Sequence, residues 1–240
     1  SIPAAPPEWQ VVSNSSSPSE KVYVSSSENP SDVIGSWVFP ETKPISTYVF
    51  ALAAGPWQKV SATGAVATKS VPPALAGGKD VVDRGVGSTI GRVADTAERP
   101  VSVGAVRPAN AGGTDKTDGP QTNIYVRKSQ TAKFKPHAAE VFQLNREAVK
   151  YFEQYFDYKF PFAKYDLVLI PEFPFGGMEH AGATFLRESS IIFPQEPTKN
   201  DRVSRATLIF HEAAHQWFGD TVTMRWFDDL WLKEGFATFM

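Results

Sequence analysis

His211, Glu212 and His215 fall within five consecutive residues of a chain that has only four histidines. On a helix, side chains at i and i+4 share one face and can grip a single cation. Glu212 lies beside that axis but is rotated off it, so it can hold a water at the metal without being a ligand. The H-E-x-x-H pattern thus offers two neutral imidazoles for zinc and a carboxylate general base. The bland alternatives are helix-surface polarity or two core histidines satisfied by neighbours. With no cysteine in the chain, any further ligand must be His, Asp or Glu, and Asp228, Asp229 and Glu234 follow close by. A structural zinc takes four protein ligands, whereas a catalytic one takes three and keeps a position open.

The chemistry requires 208–220, "LIFHEAAHQWFGD", to be helical. Asn200 is a good N-cap and Gly219 a natural stop, which predicts a helix over 200–218. A second new helix is expected from Glu234, with Gly235 and Ala237 allowing close packing. Upstream, Pro136 suits a first helical turn, and Val141, Leu144, Ala148, Phe152 and Tyr155 recur at helical spacing, predicting an amphipathic helix over 136–156. His137, at its start, reads as a capping or solvent-facing residue. "YDLVLIP" (165–171) reads as a buried strand, and "ATFLRESSIIF" (183–193) as one or two more.

The first 130 residues have another texture. Short β-branched and aromatic runs at 9–14, 21–26, 33–39, 46–55 and 57–64 are separated by Ser, Pro and Gly, as in antiparallel strands joined by turns. Between 71 and 123 the pattern weakens to loops, with one strand expected at 101–106. The glycine-rich "GVGSTIG" (85–91) lacks the lysine and spacing of a phosphate loop. The fold class expected is α+β.

Bulk properties narrow the function. Of 240 residues, 42% are hydrophobic and 21% charged, with net charge −2. Such a balance gives no electrostatic case for nucleic acid. No apolar run could span a bilayer, and "SIPAAPPEW" has neither the basic nor the apolar region of a signal peptide.

Eighteen residues separate His215 from Glu234. That spacing, within "HQWFGD" and "VTMRWFDDLWLKEGFATFM", resembles the M1 family of zinc aminopeptidases. The resemblance implies that His211, His215 and Glu234 bind one zinc ion and that Glu212 is the general base. "PEFPFGGMEHAGATFLRE" is similar to the family's exopeptidase segment, G-x-M-E-N. It implies substrate contacts from Gly176, Gly177, Met178, Glu179 and His180, with Glu179 recognising a free α-ammonium. His180 stands where the family usually has asparagine. "PPEWQVVSN" and "KPISTYVFALAAGPW" look like later strands of the family's N-terminal β domain. The implied organisation is the C-terminal part of an antiparallel β domain over 1–130, then the first part of a thermolysin-like zinc metallopeptidase domain over 131–240. The chain then reads as an internal piece of a larger enzyme that acts on peptides with a free N-terminus. The remaining domains of the parent chain would be its partners, and they would include the oxyanion-stabilising tyrosine. Three other readings stand beside this one: a thermolysin-like endopeptidase, an M1-type epoxide hydrolase, and a non-catalytic zinc-stabilised interaction domain.

Overall fold

The computed structural model describes residues 6, 8–16, 18, 20–25, 33–62 and 119–240. The strand expected at 101–106 and the glycine-rich stretch at 85–91 lie outside the described residues. Both helices and strands are present, and the chain is α+β.

Among the described residues, five strands lie before residue 62. They are β1 (Gln10–Ser13), β2 (Glu20–Ser25), β3 (Val33–Val38), β4 (Leu52–Gly55) and β5 (Trp57–Ser61). Two antiparallel pairs form from them, β1 with β4 and β2 with β3. The long strand expected over 46–55 is shorter, because Thr47–Val49 is a 3-10 turn. Its cause is Asn14, whose amide donates to the Val49 carbonyl while its oxygen accepts from the Ala51 N–H. Both groups are thereby withdrawn from a ladder.

Among the described residues, the central sheet has five strands in the order β5–β6–β7–β9–β8, adding β6 (Asn123–Arg127), β7 (Asp166–Ile170), β8 (Gly177–Met178) and β9 (Ala183–Arg187). β6, β7 and β9 run parallel, and β5 and β8 pair antiparallel at the two edges. Parallel strands need a long crossover, which α1 (Thr131–Phe134) and α2 (Ala138–Tyr155) provide between β6 and β7. Both faces of this sheet are covered. Ile124, Val126, Leu167, Leu169 and Leu186 pack on the helical side, while Tyr125, Val168, Ala183 and Phe185 pack with Val12, Ala53 and Trp57 on the other. Alternation to two buried faces explains why β7 reads as a continuous apolar run.

The second half of "ATFLRESSIIF" is helical, not extended: α3 (Glu188–Ile191) follows β9 directly. Arg127 grips Glu188 with two hydrogen bonds of 2.9 and 2.6 Å, holding the turn that sends Ile191 into the core. α4 (Lys199–His215) begins two residues earlier than Asn200 would place it. Its cap is Thr198, whose hydroxyl accepts from the Asp201 N–H while the Asp201 carboxylate accepts from the Thr198 N–H. This reciprocal box satisfies two otherwise orphaned donors. α4 packs on α2 through Ile209, Ala213 and Ala214. The buried Arg205 guanidinium reinforces that contact, lying 2.8 Å from Glu140 and donating to the Ile191 carbonyl. His137 belongs to the same network and is neither cap nor solvent-facing. It is buried, with Arg205 Nη1 3.2 Å from Nδ1 and the Phe193 N–H 3.3 Å from Nε2.

Candidate metal centre

α4 ends at the site. His211 and His215 sit one turn apart on its last turns, with Nε2 atoms 3.1 Å from each other. The His215 Nδ1 is 2.9 Å from the Phe218 carbonyl, so Nδ1 carries the proton and Nε2 turns its lone pair to the cleft. Metal-binding imidazoles are commonly oriented by such a bond. Gly219 makes the return possible at φ +127, a conformation that disfavours any side chain. The chain then reaches α5 (Trp231–Phe239), whose first turn carries Glu234. Glu234 Oε2 lies 3.5 Å from Nε2 of both histidines. One atom from each of these three residues falls within 4.8 Å of the others. Asp228 and Asp229 lie in a separate 3-10 turn and are not part of this group. Two imidazole nitrogens and one carboxylate oxygen form a donor set suited to zinc, with room for a further ligand. Contacts with His211 and then His215 hold the Glu234 carboxyl below the ordinary carboxylate range.

Glu212 lies against β8 at Gly177 and lines the same cleft as these rings. It is buried, and its Oε2 has no hydrogen-bond partner among the described residues. Burial first, then the Glu179 and Glu234 carboxylates, push its carboxyl up to about 9. A divalent cation beside it would oppose that shift. Gly177 makes the packing possible, since a β-carbon there would collide with the Glu212 side chain.

Gly177, Met178 and Glu179 line the same cleft of about 320 Å³ as His211, Glu212, His215 and Glu234. β8 pairs with β9 on one side and is the edge of the sheet. Gly176 and His180 do not line that cleft. Gly176 faces Leu208, and the His180 ring packs edge-on against Phe185 at 4.5 Å, where burial lowers its pKa.

Several residues of the site were not singled out from the sequence. Lys233 pairs with Glu179 Oε1, lies 3.1 Å from Glu234 Oε1, and stands over the Tyr48 ring. Burial works against its charge, but the hydrogen bonds to Glu179 and Glu234 outweigh it and raise its pKa. Asp220 is buried with neither oxygen hydrogen-bonded among the described residues, and burial followed by the Glu179 charge pushes its carboxyl well up. Lys233 immediately precedes Glu234, and this adjacency was the available signal. Nothing local marks Asp220.

Residues 141–240 match the peptidase family M1 domain. The chain is 32% identical over 235 residues to aminopeptidase N of Streptomyces lividans, covering 98% of this chain and 20% of that protein. It is 42% identical over 98 residues to a leucyl aminopeptidase of Saccharolobus solfataricus, which is 41% of this chain and 12% of that protein. It is also 44% identical over 99 residues to human endoplasmic reticulum aminopeptidase 2, covering 41% and 10%. The chain thus spans a fifth or less of these relatives. The matched residues, 141–240, belong to peptidase family M1. No helix among the described residues is long and apolar enough to cross a membrane.

Proposed function

We propose that this chain carries the metal ligands, general base and amine-recognition loop of a zinc aminopeptidase, which releases the first residue of a peptide. The observation that carries this reading is the convergence of His211, His215 and Glu234 within 4.8 Å beside a buried, unpartnered oxygen of Glu212. A structural metal site has no use for such a base, and a polar helix surface would not bury it. In this reading His211, His215 and Glu234 hold one zinc ion. When bound, the ion supplies Lewis-acid polarisation of the scissile carbonyl and lowers the pKa of water in the site.

Glu212 takes a proton from the attacking water as the new C–O bond forms. It then returns that proton to the amine nitrogen as the C–N bond breaks. Burial raises its pKa and a divalent cation beside it would draw that value back down, which suits the carboxylate to take a proton and give it up again. Glu179 seats the substrate's α-ammonium by charge-assisted hydrogen bonding. Lys233 engages Oε1, leaving Oε2 for the incoming ammonium. The edge of β8 at Gly177 and Met178 offers backbone groups to an extended peptide. The packing of His180 against Phe185 supports a scaffolding role for that ring. We further read 1–130 as the end of a β-rich domain and 131–240 as the start of a thermolysin-like one, with β5 and β6 completing the latter's sheet.

The test uses the complete protein that carries this chain. Metal content should be one zinc per chain. Aminoacyl-anilides should be hydrolysed and their N-acetyl forms should not; equal rates on the two would remove the amine-recognition role of Glu179.

A further inference from the structure

The loop Glu179–Gly182 carries the carboxylate assigned above to the substrate amine, and its backbone is held by side chains from distant parts of the chain. Gln216, fully buried and directly after His215, spans it: its Nε2 donates to the Glu179 carbonyl at 3.1 Å, and its Oε1 accepts from the Gly182 N–H at 2.9 Å. Only one orientation of the amide serves both groups, since a flip would set donor against donor. Asn14, also buried, closes the loop from the opposite side. Its Nδ2 donates to the Ala181 carbonyl at 2.9 Å while its other bonds tie it to Val49 and Ala51. Other backbone groups of the loop are used as well. The His180 carbonyl accepts from the Ala183 N–H, the Ala181 N–H donates to Val49, and the Gly182 carbonyl accepts from the Asp166 N–H and Lys164 Nζ. Gly182 itself is at φ +66 and packed against Asn14 and Lys164 backbone, so the turn has little freedom.

We propose that Gln216 and Asn14 are positioning residues that fix the height and angle of Glu179 relative to the metal ligands. Gln216 does this in the shortest way available, as the next residue after a ligand. The register between amine seat and metal is then set by one peptide unit of α4 and one amide side chain. Asn14, directly after β1, adds a second strut, which makes amine recognition depend on the docking of that strand. Pre-organisation of this kind acts through geometry, and small displacements of a positioning group weaken it strongly. The proposal rests on the amine-binding role of Glu179.

The experiment measures KM and kcat of the complete protein on a panel of aminoacyl-anilides and their N-acetyl forms, with zinc content as a separate readout. Gln216→Met keeps length and burial but removes both hydrogen bonds. The expected result is a KM raised about tenfold or more on free-amine substrates with little change in kcat. Preference for free over acetylated substrate should shrink, and the zinc per chain should stay at the wild-type value. Asn14→Leu should shift the same quantities in the same direction. In a Glu179→Ala background, Gln216→Met should add nothing further, since the clamp acts only through Glu179. Unchanged KM in the folded variants, or additivity with Glu179→Ala, would overturn the proposal. Should neither variant fold, hydrogen exchange of the wild type decides. Protection of the Gly182 and Ala183 amides near the global level upholds the clamp, and fast exchange refutes it. A wild type that does not distinguish free from acetylated substrates defeats the reading of Glu179 itself, a separate outcome visible before any variant is made.

Discussion

Gly177→Ala tests the packing between the edge strand and the base. A β-carbon built at Gly177 would stand 2.7 Å from Glu212 Cγ and closer still to the carboxylate. Ordinary carbon contacts begin at about 3.5 Å, so one partner has to shift by roughly 1 Å. Glu212 is buried, and β8 is only two residues long. Either the base leaves its place or the strand edge does. A misplacement of about 1 Å near reacting atoms can lower the rate about 100-fold, equivalent to about 2.7 kcal/mol in the barrier. Steady-state kinetics of the complete protein on a free-amine anilide should therefore show kcat/KM reduced by about two orders of magnitude. Overpacking should also cost about 1–3 kcal/mol of stability, readable as a lower melting temperature. Zinc content should not change, because the atoms nearest that β-carbon belong to Glu212 and not to a ligand. Gly235→Ala is the matched control: its β-carbon meets nothing within 4 Å, and the residue lies in α5. Removing that helical glycine should stabilise by about 0.5–1 kcal/mol and leave kinetics alone. A Gly177→Ala protein with wild-type kcat/KM would show that Glu212 and β8 are not packed as described.

Glu212→Gln removes the proton acceptor while keeping shape, and kcat should fall by about 10²–10⁴ with zinc retained, as metal analysis can verify. Lys164 and Asp166 form a buried ion pair at 2.8 Å, and Asp166 also accepts from Asn123. Lys164→Met should cost about 3–5 kcal/mol in urea unfolding by stranding the carboxylate, and adding Asp166→Leu should recover part of that loss. His137 is held below its ordinary pKa by burial and then by the Arg205 charge. Both ring nitrogens face donors, so a second proton has no acceptor. The unfolded state therefore binds more protons just below pH ~6.5, and His137 stabilises the fold above that pH. Its contribution is lost as pH falls through the depressed folded value. Stability measured from pH 7 downward should drop less steeply in His137→Gln, and an unchanged slope would contradict the burial argument.

Much of the site was legible because its residues are local. His211, Glu212 and His215 need only a helix to converge, and helical periodicity with a glycine stop announces one. Glu234 was reachable from the resemblance, although composition alone left Asp228 and Asp229 equally open. Strands β1, β2, β3, β5 and β7 followed from β-branched runs. What sequence reading lost were features set by distant partners. The strand over 46–55 is cut short by Asn14, the turn at Glu188 is held by Arg127, and His137 is drawn inward by Arg205. β6 was missed because "NIYVR" sits between a loop-like stretch and a helix, and its burial on both faces comes from neighbours remote in sequence. Thr198 outcompeted Asn200 as a cap because only Thr198 has Asp201 three residues on.

The spacing of contacts along the chain has a consequence for the order in which the protein matures. Among the described residues, the group that could grip a cation lies between His211 and Glu234, so that pocket can assemble from neighbouring turns soon after they are made. The strut to the amine seat comes from Asn14, 167 positions before its partner Ala181, and long-range contacts form late. On the function proposed above, a chain caught midway would hold its metal and its base while its grip on substrate termini was still loose. Reactivity would arrive first and discrimination second, and the docking of β1 would be the moment at which an enzyme of the proposed kind becomes selective.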